Sequence, residues 1–130
     1  RLVGSEMCIR DRAHGADSVE RMRRAFAARA QLTHRLLAQI PRLRTVPSSG
    51  AFYAFPCMQA CMGLRTPAGR VIDSAQAFAE ALLEESLVAL VPGEDFGACA
   101  RTSIRISFAC SEQHIAEGIA RLSAFVQSLR

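Results

Sequence analysis

DSAQAFAEALLEESLVALVPGEDFG, residues 73–97, changes its hydrophobic period once along its length, and that change sets the fold class. Asp73 and Ser74 offer side-chain oxygens that can cap a helix. Phe78, Leu82 and Leu83 then recur at helical spacing to about Ser86. LVALVP, residues 87–92, is continuously apolar, as a strand covered on both faces would be. GEDFG, residues 93–97, reads as a glycine-bounded turn in which Asp95 can bond its own backbone and the carboxylates are solvated. A helix that feeds a strand after so short a connection belongs to an α/β layer.

Downstream, SIRISFACS (residues 103–111) alternates: Ile104, Ile106 and Phe108 share one face, and Ser103, Arg105, Ser107 and Ala109 share the other. Ser111 can cap a last helix whose apolar face is Ile115, Ile119, Leu122, Val126 and Leu129. Upstream, Asp17-x-x-Glu20 has the form of a capping box. It precedes a long helical face of Val19, Met22, Phe26, Ala30, Thr33, Leu37 and Ile40, ended by Pro41. A short strand over 43–46, a turn at Pro47-Ser48-Ser49-Gly50, a second strand AFYAFP (51–56) and a loop over 57–72 complete the chain. The predicted fold is therefore an α/β domain of about four strands with helices packed on the sheet, preceded by a long helix.

The first twelve residues, RLVGSEMCIRDR, show neither helical nor strand periodicity and resemble translated sequencing-adapter DNA. They are read as a non-native segment, and residues 13–130 as one domain that is the C-terminal fragment of a longer protein.

All sixteen basic residues are arginine, and the absence of lysine excludes any amine nucleophile or Schiff base within the chain. The net charge of +4 does not imply nucleic-acid binding. Arginines 21, 23, 24, 29 and 35 lie beside Asp17 and Glu20 with no aromatic platform among them, which favours a solvated helix face. No run approaches the roughly 18 apolar residues of a membrane span, so the chain is read as cytoplasmic. Five cysteines cannot all pair, and Cys57-x-x-x-Cys61 lacks the further ligands of a zinc site, so reduced thiols and no metal are expected. His14, His34 and His114 have no partner at catalytic spacing. Gly93 and Gly97 are read as backbone requirements, a positive φ or a close approach; Gly50 could serve either backbone or site.

Arg105 has two readings. It is either a half-exposed strand residue paired with a surface acid, or a planar fork gripping a carboxylate from a rigid mount.

PSSGAFYAFP (47–56), the opening stretch (73–97) and IRISFACSEQHIAEGIARL (104–122) resemble, in this order, the small domain of class I aminotransferases. These are the aspartate-aminotransferase-like, fold-type-I enzymes that use pyridoxal phosphate. The resemblance covers residues 13–130 and implies a small domain closing over substrate held on a larger one. It implies that Arg105 binds the substrate α-carboxylate, and that Gly50 and Phe52 line the pocket. The substrates implied are an amino acid and a 2-oxo acid, in a homodimer. The cofactor-bearing lysine and the phosphate-binding groups of the family belong to the large domain, so this chain alone is expected to be inactive. Two other readings are a different fold-type-I activity, lyase or synthase, and a non-catalytic α/β binding module.

Overall fold

The computed structural model describes residues 4–130, with side chains described from Gly15 onward. Helix α1 spans Gly4–Leu37, strand β1 Tyr53–Ala54, helix α2 Ala75–Ser86, strand β2 Val91–Pro92, strand β3 Ile104–Ser107 and helix α3 Glu112–Ser128. Short 3-10 turns occupy Gln59–Cys61, Gly93–Phe96 and Ala98–Ala100.

The sheet has the order β1-β3-β2, with both pairings antiparallel. Tyr53 faces Ser107 and Ala54 faces Ile106 on one side of β3; Val91 faces Arg105 and Pro92 faces Ile104 on the other. Proline is tolerated in β2 because that strand is at an edge, where a missing N–H breaks no ladder. Among the described residues the sheet has three strands, where the sequence suggests about four. Residues 43–46 contribute a single bridge, Arg44 to Cys57, because Arg42 turns the chain at φ 71 and Pro47 follows closely. LVALVP is likewise not a doubly covered strand. Leu87 ends α2 in the left-handed conformation and is 75% exposed, and only Val91 and Pro92 pair.

Two of the three predicted caps form, those at Ser74 and Ser111. The Ser74 hydroxyl accepts from the Ala77 N–H at 3.1 Å, and that of Ser111 from the His114 N–H at 3.2 Å. Glu94, expected to be solvated, is half-buried and accepts from the Ala75 N–H at 3.0 Å. It thereby satisfies a second donor at the α2 N-terminus, where a carboxylate also complements the helix dipole.

The capping box at Asp17 does not start a helix. The backbone is helical from Gly4, through most of the segment in which the sequence shows no period; residues 1–3 of that segment lie outside the described residues. No proline interrupts residues 4–40, and once nucleated a helix propagates at little cost per residue. Glu20 instead receives Arg23 and Arg24, each at 2.8 Å. At 34 residues α1 is about 50 Å long at 1.5 Å per residue. Thr33, Leu37 and Ile40 are buried and Phe26 and Ala30 half-buried, but Val19 and Met22 are 58% and 55% exposed.

The core joins α1, α2 and α3 to the inner face of the sheet through Leu37, Phe78, Leu82, Ile104, Phe108, Leu122 and Val126. Phe78 meets Phe125 edge-on, with centroids 5.3 Å apart, tying α2 to α3. Arg42 donates to the carbonyls of Val126 and Leu129 at 3.0 and 3.1 Å, fixing the exit of α1 to the end of α3. No helix among the described residues is long and apolar enough to cross a membrane.

Candidate functional site

Arg105 is held on β3, the central strand, with a neighbouring strand paired on each side. Ile104 and Phe108 are buried on the inner face, and alternation sends Arg105 to the outer one, where it is half-buried. Its guanidinium carbon lies 4.4 Å from the centroid of the Tyr53 ring and 4.6 Å from that of Phe96. Both distances are within the ~6 Å over which a ring face attracts a cation.

Local structure explains how each ring arrives. Tyr53 faces Ser107, so it is a diagonal neighbour of Arg105 on the same face, a separation that long side chains span. Phe96 closes the 3-10 turn that follows β2, and Gly93 starts that turn. The buried Gly93 donates its N–H to the Ser103 carbonyl at 2.9 Å. A Cβ there would lie 2.0 Å from the Ala100 oxygen and 2.4 Å from the Ser103 oxygen. Glycine alone lets the turn press this closely on the chain entering β3. Gly97 leaves the turn at φ 112, a conformation that favours glycine. Close approach at Gly93 and positive φ at Gly97 are the two backbone requirements the sequence suggested.

The stacking continues outward from Arg105. Phe96 meets Phe55 edge-on at 5.7 Å; Tyr53 touches Phe52 at 4.4 Å, and Phe52 reaches Phe26 of α1 at 5.9 Å. Among the described residues no carboxylate forms an ion pair with Arg105. The surface-acid reading therefore lacks its partner. Among the described residues no side-chain hydrogen bond engages Arg105 either, and its in-plane N–H groups are the donors that can grip a carboxylate through two parallel bonds.

The other two predicted site residues stand further away. Phe52 is one ring removed from Arg105 and 40% exposed. Gly50 borders two grooves. One, of about 440 Å³, runs between the 47–51 turn and Phe26, Ala30 and His34; the other, of about 400 Å³, includes Tyr53 and Phe55. Arg105 lines neither. A Cβ at Gly50 would meet nothing within 4 Å, and its φ is not positive, so no local geometry demands glycine there. Tyr53 and Phe96 are the residues that sequence reasoning missed. Their signal was present only as an aromatic strand and a turn phenylalanine, with nothing to show that both meet residue 105.

Of the described cysteines, Cys61 is buried, Cys57 and Cys110 are half-buried and Cys99 is exposed. Burial pushes the Cys61 thiol up to about 11. At Cys57 burial also acts upward, but the Gln59 backbone, the Thr102 hydroxyl and Arg44 together lower it. No group of His, Cys, Asp and Glu among the described residues could hold a metal ion.

The family model for aminotransferase class I and II matches residues 6 to 122. The aspartate aminotransferase of Bacillus sp. (strain YM-2) is 40% identical over 111 residues, covering 85% of this chain and 26% of that protein. The asparagine–oxo-acid transaminase of Streptococcus mutans is 38% identical with the same two coverages. Among solved structures, the aspartate aminotransferase from Rhizobium meliloti superposes with a TM-score of 0.82 at 33% identity, covering 88% of this chain and 28% of that one. The chain thus spans about a quarter of the length of these relatives. On this match, spread over nearly its whole length, the chain belongs to the class I and II aminotransferase family.

Proposed function

We propose that this chain is the C-terminal part of a pyridoxal-phosphate-dependent aminotransferase, and that Arg105 binds the α-carboxylate shared by its amino acid and 2-oxo acid substrates. The observation that carries this reading is a half-buried arginine on the central strand with ring neighbours and no acid among the described residues. Relatives named as aspartate aminotransferase and asparagine–oxo-acid transaminase support the substrate class.

Pyridoxal phosphate supplies the electron sink of transamination. This chain does not fit its covalent attachment, since none of the 130 residues is a lysine. Arg105 acts before the chemistry. Two guanidinium N–H groups donate to the two carboxylate oxygens, so the carboxylate is fixed in direction as well as place, and the groups on the α-carbon are fixed with it. The charge stays on arginine even when water is excluded, because its pKa is far above any working pH. Phe52 forms part of the aromatic wall beside this clamp, and Gly50 borders the groove that shares Tyr53 with it. The exposed Val19, Met22, Val46 and Leu87 are the apolar surface that the rest of a homodimeric, full-length enzyme covers.

In the full-length protein, R105A and R105K raise KM for amino acid and oxo acid alike. The expected rise is about ten- to two-hundred-fold, the value of a hydrogen bond to a charged group. An unchanged KM for both substrates refutes the assignment. The 130-residue chain by itself shows no transaminase activity when supplied with the cofactor.

A further inference from the structure

We propose that Tyr53 and Phe96 are positioning residues that set the plane of the Arg105 guanidinium and so decide from which direction a carboxylate is received. The inference rests on the reading of Arg105 given above and extends it to two residues that touch no carboxylate.

Strand order puts the two rings on different sides of the arginine. β3 lies between β1 and β2; Tyr53 comes from β1, and Phe96 from the turn directly after β2. The guanidinium carbon is nearly equidistant from their centroids, at 4.4 and 4.6 Å. A planar cation flanked in this way has little freedom to rotate about its last side-chain bonds. Its N–H groups lie in its own plane, so they are aimed along the gap between the rings.

The rings are themselves braced. Phe96 meets Phe55 at an interplanar angle of 84°, and Tyr53 packs on Phe52, which packs on Phe26. The turn carrying Phe96 is pressed onto β3 at Gly93.

Aromatic rings also solve a problem that an acid would create. A carboxylate holding Arg105 in place would occupy the same N–H groups as the substrate and would have to be displaced at each turnover. Ring faces attract the charge through their quadrupole and leave the N–H groups unoccupied. The site is thus ordered before substrate arrives, which lowers the entropy lost on binding.

The test uses the full-length protein with four variants that keep apolar bulk: F96L and Y53L, which remove a π face, and F96Y and Y53F, which keep one. F96L and Y53L should each raise KM for amino acid and oxo acid together by about two- to five-fold, the size of one exposed cation–π contact. F96Y and Y53F should restore most of the affinity. In arginine-labelled protein, the Arg105 Nε–H resonance should carry a ring-current shift that falls in F96L and Y53L and persists in F96Y and Y53F. In an R105A background, F96L should have no further effect on KM.

Wild-type KM in F96L and Y53L, with KM raised in R105A, overturns the positioning role while leaving the clamp intact. An equal effect of F96L with and without Arg105 overturns it too, because the ring would then act independently. An unchanged KM in R105A removes the clamp and the positioning role together.

Discussion

Replacing Gly93 by alanine adds one methyl group where the chain has no room for it. The new carbon would lie 2.0 Å from the Ala100 oxygen and 2.4 Å from the Ser103 oxygen, and both are backbone atoms that no rotamer change can move. The φ of Gly93 is not positive, so alanine meets no conformational objection there and the cost is steric alone. Overpacking of this kind costs about 1–3 kcal/mol. Relief requires the 93–96 turn to lift from residues 100–103, which stretches the 2.9 Å bond from the Gly93 N–H to Ser103 and forfeits about 0.5–1.5 kcal/mol more. G93A should therefore destabilise the domain by about 2–4 kcal/mol. Gly118, within α3, is the internal control: a Cβ there meets nothing within 4 Å, so G118A should stabilise by about 0.5–1 kcal/mol through helix propensity. Urea unfolding followed by far-UV circular dichroism measures both, with the midpoints expected to move in opposite directions. A G93A midpoint equal to that of the parent, or a shift matching G118A in sign, would show that the close approach is not what glycine provides.

The Glu20 carboxyl is held down at about 2, against an ordinary 4.5, by hydrogen bonds from Arg23 and then Arg24. Because the folded value lies below the unfolded one, the contribution of these pairs is complete above pH 4.5 and is lost as pH falls towards 2. Carbon-detected titration of the carboxyl should show that depressed midpoint and its return to the ordinary range in R23A/R24A; an unshifted midpoint in the parent rejects the pairing. With Cys61 buried and its thiol pushed up to about 11, iodoacetamide at pH 8 should label exposed Cys99 well before Cys61; comparable rates, read by mass spectrometry, would contradict the burial. F78A removes a fully buried ring that meets Phe125 edge-on and should cost about 3–5 kcal/mol in the same urea assay, whereas a loss under 1 kcal/mol would mean the α2–α3 contact is loose.

The α/β class, the order of α1, α2 and α3, and the caps at Ser74 and Ser111 were legible in residue pattern, because they rest on contacts three or four residues apart. The strands were less so. AFYAFP and LVALVP are apolar along their length, yet the strands they form are short, Tyr53–Ala54 and Val91–Pro92, with the Phe52 and Pro56 carbonyls accepting further bonds from the Phe108 and Ile104 N–H groups beyond β1, because pairing depends on what the partner strand offers rather than on local preference. The start of α1 was misplaced for a related reason. Asp17 and Glu20 have the composition of a cap, but the helix continues through them and Glu20 serves Arg23 and Arg24 instead. Gly50, singled out from the sequence, borders two grooves that Arg105 does not line, while Glu94, in a turn whose carboxylates read as solvated, caps α2 from nineteen residues away.

What the sequence determined by itself was chemical inventory and local periodicity: one arginine on an alternating strand, no lysine anywhere, two glycines bounding a turn. The tertiary structure alone decided that residues 53, 96 and 105 meet. Tyr53 and Arg105 are joined only through the β1–β3 register, and Phe96 reaches them only because Gly93 lets its turn lie against the entry to β3. Side chains that far apart in the chain have no short-range pattern to announce them, since their proximity is set by sheet pairing and by one close backbone contact, both of which exist only after folding.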